Sequence, residues 1–387
     1  MDSSRSQKSK FRFFDYALMA YAVYYACRWS QLNNTLFFDI FKYSGYVLSL
    51  LFSLYSISLN FKWSKINIIL LIVLIIIPLY LRFKYDSVVL SNTMLILAAT
   101  NIPFSHVSRK CIHAIILIFI IVLASLLLGI VEDVRYDRDT AMTGETYAHG
   151  LGFSYYGFYA YLGMGMVLAL LYKWQNHLTI RRIVSIVLFS YIFFLISTTR
   201  LQILACGAFI VGLLLLRVLP SDLLKFKIFG FFSLVLYPVI CYAMYFVSKN
   251  AILTLALNNY SEVNGILNGR LTLNEEAFAR YDVTFWGNKL EFENTIGVDD
   301  YFYIDSGYLH SLLGDGIVFT AILMILYSIL FYKVYKAEAH FLYMCLFAFA
   351  FLSISNGLLL DILANPILLI ALSDIDVIKR DNLLMRA

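Results

Sequence analysis

The sequence predicts an all-α, polytopic integral membrane protein with about twelve transmembrane helices and one long outer loop that contains short helices. Of its 387 residues, 61% are hydrophobic and 14% charged, whereas soluble domains are about 45–50% apolar and about 25% charged. Runs such as INIILLIVLIIIPLYL and AIILIFIIVLASLLLGIV approach or reach the roughly 20 apolar residues that cross a hydrocarbon core. We expect residues 1–387 to form a single transmembrane domain.

Apolar segments along the chain justify that count of spans. The first follows the basic segment MDSSRSQKSKFRFF and has no small-residue cleavage site after it, so we interpret it as an uncleaved helix. The last carries Asp361 and Pro366, and is therefore either a full span or a re-entrant segment. The expected spans are 13–27, 37–59, 66–81, 88–105, 112–131, 152–172, 183–199, 201–216, 228–248, 306–332, 340–356 and 358–372.

The distribution of basic residues predicts the orientation in the membrane. With the N-terminus inside, 19 of the 30 lysines and arginines fall in the inner segments, as the positive-inside rule requires. Both termini should therefore be cytoplasmic. The net charge of +5 is dispersed over many short loops, so it gives no indication of a nucleic-acid partner.

Two outer loops are longer than the other connections, residues 132–151 and residues 249–305. Loops longer than about 12–15 residues are usually functional or disordered, and the aromatic content of the second argues against disorder. Thr272 and Glu275 have capping-box spacing, which predicts a short helix, LNEEAFARY, on the outer membrane surface.

Arg200 lies between two apolar runs in the segment STTRLQILACG, at the predicted outer turn between the seventh and eighth spans. It could be a snorkelling arginine that reaches lipid headgroups. However, the outer loops also contain Arg135, Arg138, Arg270 and Arg280 beside many carboxylates. This concentration of charge on one side of the membrane favours a site at the outer surface.

Other polar residues have simpler interpretations. His310, in DSGYLHSLLGDG, should lie near the outer mouth of the tenth span, where a lone histidine is more often a hydrogen-bonded structural residue than a base. Asp39 and Lys42 are three residues apart at the outer end of the second span and should neutralise each other. The five cysteines have neither disulfide nor metal-ligand spacing, and we predict no metal site.

Four segments resemble motifs of one superfamily, that of the Wzy-type polymerases of bacterial capsule and O-antigen repeat units and the O-antigen ligases. LISTTRLQILACG is similar to its serine/threonine-arginine turn, and GILNGRLTLNEEAF with FWGNKL to the Gly-Arg segment and aromatic-Gly turn of its large outer loop. DSGYLHSLLGDGIV resembles the signature that enters a late helix, and YAHGLGFSYYGFYAYLG a Gly-Phe segment that opens a middle helix. The resemblance spans roughly residues 150–330.

The resemblance implies a glycosyltransferase in the bacterial cytoplasmic membrane. Such enzymes take a glycan from an undecaprenyl diphosphate donor and join it to a second lipid-linked acceptor, without a cofactor. Membrane lipid is a further expected partner, and a chain-length regulator and a flippase are possible ones. Because arginine matches phosphate oxygens bidentately, Arg200 and Arg270 become the diphosphate ligands, with Asp305 and His310 as the other catalytic candidates. The implied substrate-binding residues are Arg135, Arg280, Trp286 and Tyr308.

Two alternatives remain open. An O-antigen ligase is less favoured, because ligases carry histidine where this chain has Asp305. A flippase or other transporter should show internal repeats and ionisable residues at mid-bilayer depth, whereas the predicted spans here are nearly free of interior charge. The aromatic residues of the outer loops could stack on sugars, but they could also form an interfacial aromatic belt.

Overall fold

The structure is a computed structural model that describes residues 2–61, 64–85, 87–140, 144–218, 226–249, 270–292, 302–357 and 359–386. Most of this part of the chain is helical, since a helix pairs its own backbone donors and acceptors where lipid cannot. The helices are α1 (Asp2–Trp29), α2 (Leu36–Asn60), α3 (Lys65–Tyr85), α4 (Val89–Ala98), α5 (Phe104–Leu127), α6 (Gly157–Trp174), α7 (Ile180–Ser197), α8 (Leu201–Val218), α9 (Lys227–Lys249), α10 (Arg270–Arg280), α11 (Gly307–His310), α12 (Gly316–Lys336), α13 (His340–Leu352) and α14 (Ile375–Arg386).

Within the described residues, six helical segments are long and apolar enough to cross a membrane: Phe38–Asn60, Asn67–Tyr85, Phe104–Leu127, Ile180–Ser197, Lys227–Lys249 and Gly307–Lys336. The last combines α11, a π-helical turn at Ser311–Asp315 and α12. A mostly helical fold with several possible membrane spans is therefore shown, whereas the count of twelve stays a prediction.

Three stretches depart from the predicted helical pattern. The expected loop 132–151 contains an antiparallel hairpin of β1 (Arg135–Thr140) and β2 (Gly144–His149), so the all-α prediction is wrong for this stretch. Of the expected span 88–105, the first half forms the short α4, and α5 begins only at Phe104. The expected span 358–372 has turns and a 3-10 helix, Pro366–Ile370, in its described part, so this part is not a continuous α-helix.

The inter-helix connections gather at two ends of the helical bundle. At one end, which we call the site end, Gln31 N donates to Gly152 O at 3.0 Å and Gly307 N to Ser353 O at 3.0 Å. At the opposite end, Asn101 N donates to Ser373 Oγ at 3.0 Å. The connections at residues 31, 152, 307 and 353 thus lie at one end and those at residues 101 and 373 at the other, in agreement with the predicted order. Whether the site end faces the outside of the membrane stays a prediction.

Buried tyrosines fasten the helices below the site end. The rings of Tyr237 and Tyr327 stack with centroids 4.2 Å apart. The Tyr237 hydroxyl donates to Leu346 O at 2.8 Å, and that of Tyr327 to Leu359 O at 2.6 Å. Because each buried hydroxyl has a carbonyl partner, these rings join α9, α12, α13 and the segment after α13 without leaving an unpaired polar group.

Candidate functional site

Arg270 and Asp305 form an ion pair at the site end. Arg270 Nε lies 2.8 Å from Asp305 Oδ2, and the two side chains remain 29% and 23% exposed. Arg270 is the first described residue of α10. Asp305 comes directly before Ser306, whose hydroxyl caps α11 by accepting the N–H of Leu309. The pair thus joins α10 to the segment that enters α11, and its partial exposure leaves it accessible to a ligand.

An aromatic cluster, which we define as Tyr155, Phe292 and Tyr303, lies near Asp305. Tyr303 is two residues from Asp305 in the chain, and Tyr155 is within electrostatic reach of it. The Tyr303 ring lies 4.9 Å from that of Phe292 and stacks on that of Tyr155 at 6.1 Å, centroid to centroid. The cluster joins rings from three chain segments, and flat rings of this kind suit the apolar faces of sugars.

Tyr155 is a site residue that the sequence analysis did not single out. Its phenol lies within electrostatic reach of Tyr156, Tyr303 and Asp305. A phenol is protonated at neutral pH and can donate a hydrogen bond. Tyr161, six residues further along and within α6, lies within electrostatic reach of both Asp305 and Asp361. The only sequence signal for either residue is the tyrosine-rich run SYYGFYAYLG.

Asp361 supplies a second carboxylate at the site end. Its Oδ1 accepts the backbone N–H groups of Leu363 and Ala364, each at 3.0 Å, and its Oδ2 accepts the Tyr25 hydroxyl at 3.1 Å. These bonds fix the turn that follows α13. The sequence analysis treated Asp361 only as a break in the last span, because nothing in the local pattern shows that it faces Tyr25 of α1.

The FWGN turn, residues 285–288, packs against the π-helical turn that precedes α12. Gly287 has φ +78°, and a Cβ there would lie 2.0 Å from Gly314 O of the π-helical turn. Gly316 has φ +86°, and a Cβ there would clash with the backbone of the FWGN turn. Asn288 N donates to Leu313 O at 2.9 Å. Only glycine permits this backbone approach, so the turn is fixed relative to the end of α11.

Trp286, predicted to bind substrate, lies on this turn with 47% of its surface exposed. Its ring meets that of Tyr80 of α3 edge-on at 5.5 Å. Tyr85, one turn further along α3, donates its hydroxyl to Gly287 O at 2.8 Å. Helix α3 therefore supports the turn, and Trp286 remains available to a ligand at the surface.

Other predicted substrate-binding residues lie in different surroundings. Tyr308 is fully buried, and its hydroxyl donates to Ala350 O at 2.9 Å, so it belongs to the core and presents no surface to a substrate. Arg280 pairs with Glu276 one turn earlier at 2.5 Å, and its guanidinium lies 4.4 Å from the Phe302 ring. Arg135 is exposed at the start of β1, opposite His149.

The side chains of the other two catalytic candidates, Arg200 and His310, make no hydrogen bond or ion pair to Arg270 or Asp305 within the described residues. Arg200 is exposed in the turn between α7 and α8, after Thr198 in the left-handed region. Its side chain makes no hydrogen bond or ion pair within the described residues. The ring of His310 stacks on that of Phe292, a member of the aromatic cluster, with centroids 5.9 Å apart.

Some predictions of local structure are confirmed and one is wrong. Lys42 Nζ lies 2.5 Å from Asp39 Oδ1, as the spacing predicted. The predicted helix LNEEAFARY falls within α10 apart from its last residue, but Thr272 lies inside the helix, so its assignment as the N-cap is wrong. About half of the predicted loop 249–305, residues 250–269 and 293–301, lies outside the described residues.

Comparison of the chain with models of protein families, with curated proteins and with solved structures finds no match. The residues of the site place a guanidinium, which matches phosphate oxygens, against a carboxylate, which can accept a proton from a hydroxyl. Rings suited to sugar faces lie near the carboxylate.

Proposed function

We propose that the protein polymerises undecaprenyl-diphosphate-linked oligosaccharide repeat units by glycosyl transfer at the outer face of the bacterial cytoplasmic membrane. The observation that carries this proposal is the partly exposed Arg270–Asp305 pair, with the aromatic cluster near Asp305. Arg270, Asp305 and Tyr155 come from three of the segments that resemble polymerase motifs, although they are far apart in the chain. A single site at the end of a helical bundle can thus hold an anionic leaving group and a sugar together.

In the proposed reaction, a hydroxyl oxygen of the acceptor glycan forms a bond to the anomeric carbon of the donor. The bond from that carbon to the diphosphate oxygen breaks, and its electron pair leaves with the diphosphate. Asp305 accepts the proton of the attacking hydroxyl. Arg270 stabilises the charge that grows on the diphosphate. We assign the same role to Arg200 of the α7–α8 turn, although it does not contact Arg270 in the structure.

The aromatic cluster serves to orient the sugar at the reacting carbon. Tyr155 and Tyr303 stack on each other at 6.1 Å and lie next to the carboxylate that accepts the proton. Positioning two reactants in this way replaces a random encounter by a fixed approach, which lowers the entropic part of the barrier. Trp286, exposed on the FWGN turn, offers a further ring for the acceptor glycan.

Analysis of surface glycan from a deletion strain on a gel tests the proposal. Loss of a polymerase leaves a single repeat unit where the parent strain shows a ladder, and a plasmid copy restores the ladder. Arg270→Ala should fail to restore it. Lys289→Ala is the matched control, because Lys289 is an exposed cation in the same region, paired with Glu291 at 3.2 Å.

The pattern of failure separates the alternatives. Lipid-linked units trapped inside the cell would identify a flippase, and long chains retained on the carrier lipid would identify a ligase. Polymer formation from purified protein and purified lipid-linked repeat unit gives the direct measurement. Normal polymer from Arg270→Ala at a matched protein level would contradict the proposed role of the ion pair.

A further inference from the structure

A platform of aromatic rings extends from the aromatic cluster along α6. Phe158 and Tyr161 are three residues apart in this helix, so they share one of its faces. The Phe158 ring meets the Tyr155 ring edge-on at 6.0 Å and the Tyr161 ring edge-on at 6.3 Å, centroid to centroid. We call Tyr155, Phe158 and Tyr161 the ring platform. All three residues are half-buried, so the platform has a surface that a ligand can reach.

Tyr25 of α1 connects the ring platform to Asp361. Its ring packs edge-on against that of Phe158 at 6.2 Å, and its hydroxyl donates to Asp361 Oδ2 at 3.1 Å. Tyr161 lies within electrostatic reach of both Asp361 and Asp305. Two carboxylates from distant parts of the chain therefore lie near the platform.

The two carboxylates differ in their partners. Asp305 pairs with Arg270 at 2.8 Å. Asp361 forms no ion pair with the part of the chain that the structure describes, and its partners are the Tyr25 hydroxyl and two backbone N–H groups. Since a carboxylate has about four acceptor positions, Asp361 keeps one for a further donor. An ionisable residue without a charged partner, at the end of a bundle of apolar helices, is a candidate for ligand binding.

Close packing fixes Asp361 relative to α6 and α4. A Cβ at Gly165 would lie 1.8 Å from Leu363 O, so only glycine lets α6 approach the segment after α13 this closely. The carbonyl of Leu360, directly before Asp361, accepts Asn92 Nδ2 of α4 at 2.7 Å. Asp361 is thus an acceptor whose position is set by its surroundings before any ligand binds.

This arrangement suits a sugar that carries no charge. Flat rings pack against the apolar face of a sugar, and a carboxylate accepts a sugar hydroxyl in a charge-assisted hydrogen bond. A sugar with its own carboxylate would bring a second negative charge to Asp361, with which no cation among the described residues is paired. Juxtaposed like charges weaken binding and thereby select against the wrong partner.

We propose that Asp361 determines the sugar specificity of the site: it accepts a hydroxyl of an uncharged sugar on the ring platform and excludes sugars that carry a carboxylate. The inference rests on the proposed function, because it specifies the class of sugar in the glycan that this site takes. Asp361 binds the sugar, whereas proton transfer belongs to Asp305. Loss of Asp361 should therefore weaken binding with little effect on the rate of the bound substrate.

Binding of the repeat-unit oligosaccharide, released from the surface glycan and measured by calorimetry on the purified protein, tests this role. The matched probe is the same oligosaccharide after oxidation of its primary hydroxyls to carboxylates. We expect the wild-type protein to bind the oxidised form at least about tenfold more weakly. Asp361→Asn, which keeps an acceptor for the turn, should weaken binding of the unoxidised form by roughly 10- to 100-fold and bring the two forms within about threefold of each other.

Glu291→Gln is the control, because it removes an acid that is 74% exposed in the same region and paired with Lys289. It should leave the affinities for both forms unchanged. If Asp361→Asn lowers thermal stability, Tyr25→Phe provides a second variant, since it removes one donor that orients the carboxylate. The unoxidised form should then bind about two- to tenfold more weakly, with the difference between the two forms retained.

Wild-type affinities for both forms in Asp361→Asn at matched stability would overturn the inference. Unchanged affinity in Tyr25→Phe, an equal effect of Glu291→Gln, or absence of saturable binding by the wild-type protein would also overturn it. Polymer formation from the lipid-linked unit is measured separately. Normal polymer without an effect of Asp361→Asn on affinity contradicts only this inference, whereas selective binding without polymer contradicts only the proposed function.

Discussion

The Arg270–Asp305 pair should act as one unit, and a double-mutant cycle can measure this. The perturbations are Arg270→Ala, Asp305→Ala and the two together, with thermal stability and polymer formation measured on each purified variant. If the two groups act together in the same reaction step, their effects on the rate should not multiply. If each is an independent surface charge, the effects of the two substitutions should multiply.

The geometry of the pair sets the expected size of the coupling free energy between the two residues in thermal unfolding. At the observed 2.8 Å, the Coulomb attraction is about 6 kcal/mol with an effective dielectric constant of about 20, before the cost of removing both charges from water. Exposed pairs retain about 0.2–1 kcal/mol, whereas loss of one partner of a buried pair costs about 3–5 kcal/mol. With the side chains 29% and 23% exposed, we expect a coupling of about 1–2 kcal/mol.

For activity, removal of one preorganised charge-stabilising group costs about 10²–10³ in rate. Independent effects would give a double variant about 10⁴–10⁶ slower, but we expect it to stay within about tenfold of the slower single variant. A cycle on Lys289 and Glu291, which are 68% and 74% exposed, should give a coupling below about 0.5 kcal/mol and normal activity. Additive losses at Arg270 and Asp305 in both assays would refute the reasoning.

Three further predictions address other parts of the structure. Gly287→Ala should lower thermal stability strongly and abolish polymer, because its Cβ would lie 2.0 Å from a carbonyl oxygen at φ +78°, whereas Gly207→Ala, with open space around its Cβ, should have little effect. His310→Gln should retain polymer, since glutamine keeps hydrogen bonding without titrating; complete loss at a normal protein level would make His310 the base. A cysteine at Tyr147, 60% exposed on β2, should react with a membrane-impermeant reagent on intact cells, and reaction only after permeabilisation would invert the predicted topology.

Composition and apolar length were sufficient to predict the class of fold, because a chain with long uncharged apolar runs can satisfy its backbone in lipid only as helices. The ion pair Asp39–Lys42 and the helix after residue 270 followed from local spacing in the same way. The hairpin at 135–149 did not, since its strands are short and polar and lack the alternation of apolar residues that predicts a strand. Local sequence patterns thus predicted the structural features that depend on residues close together in the chain.

The site was predictable only in part, for a related reason. Arg270 and Asp305 were proposed from motif resemblance, and the structure places them 2.8 Å apart. Tyr155 and Asp361 were missed, because their positions depend on how α1, α6 and the segment after α13 pack together. Tyr308 belongs to the same motif as Asp305, but its side chain enters the core. A motif shows that a segment is near a site, and only packing decides which of its side chains face it.

The site end is built largely from non-helical backbone, and this has a physical consequence. Residues 302–306, the FWGN turn, the π-helical turn and the segment after α13 expose backbone groups that lipid cannot satisfy. They are paired with one another instead, as in the bonds from Gly307 N to Ser353 O and from Asn288 N to Leu313 O. π-Helical turns occur often at functional sites, and here the turn holds the FWGN segment against the start of α12. Because these paired segments also carry Asp305 and Tyr303, a change such as Gly287→Ala should disturb the site through the backbone even though Gly287 has no side chain to contact a substrate.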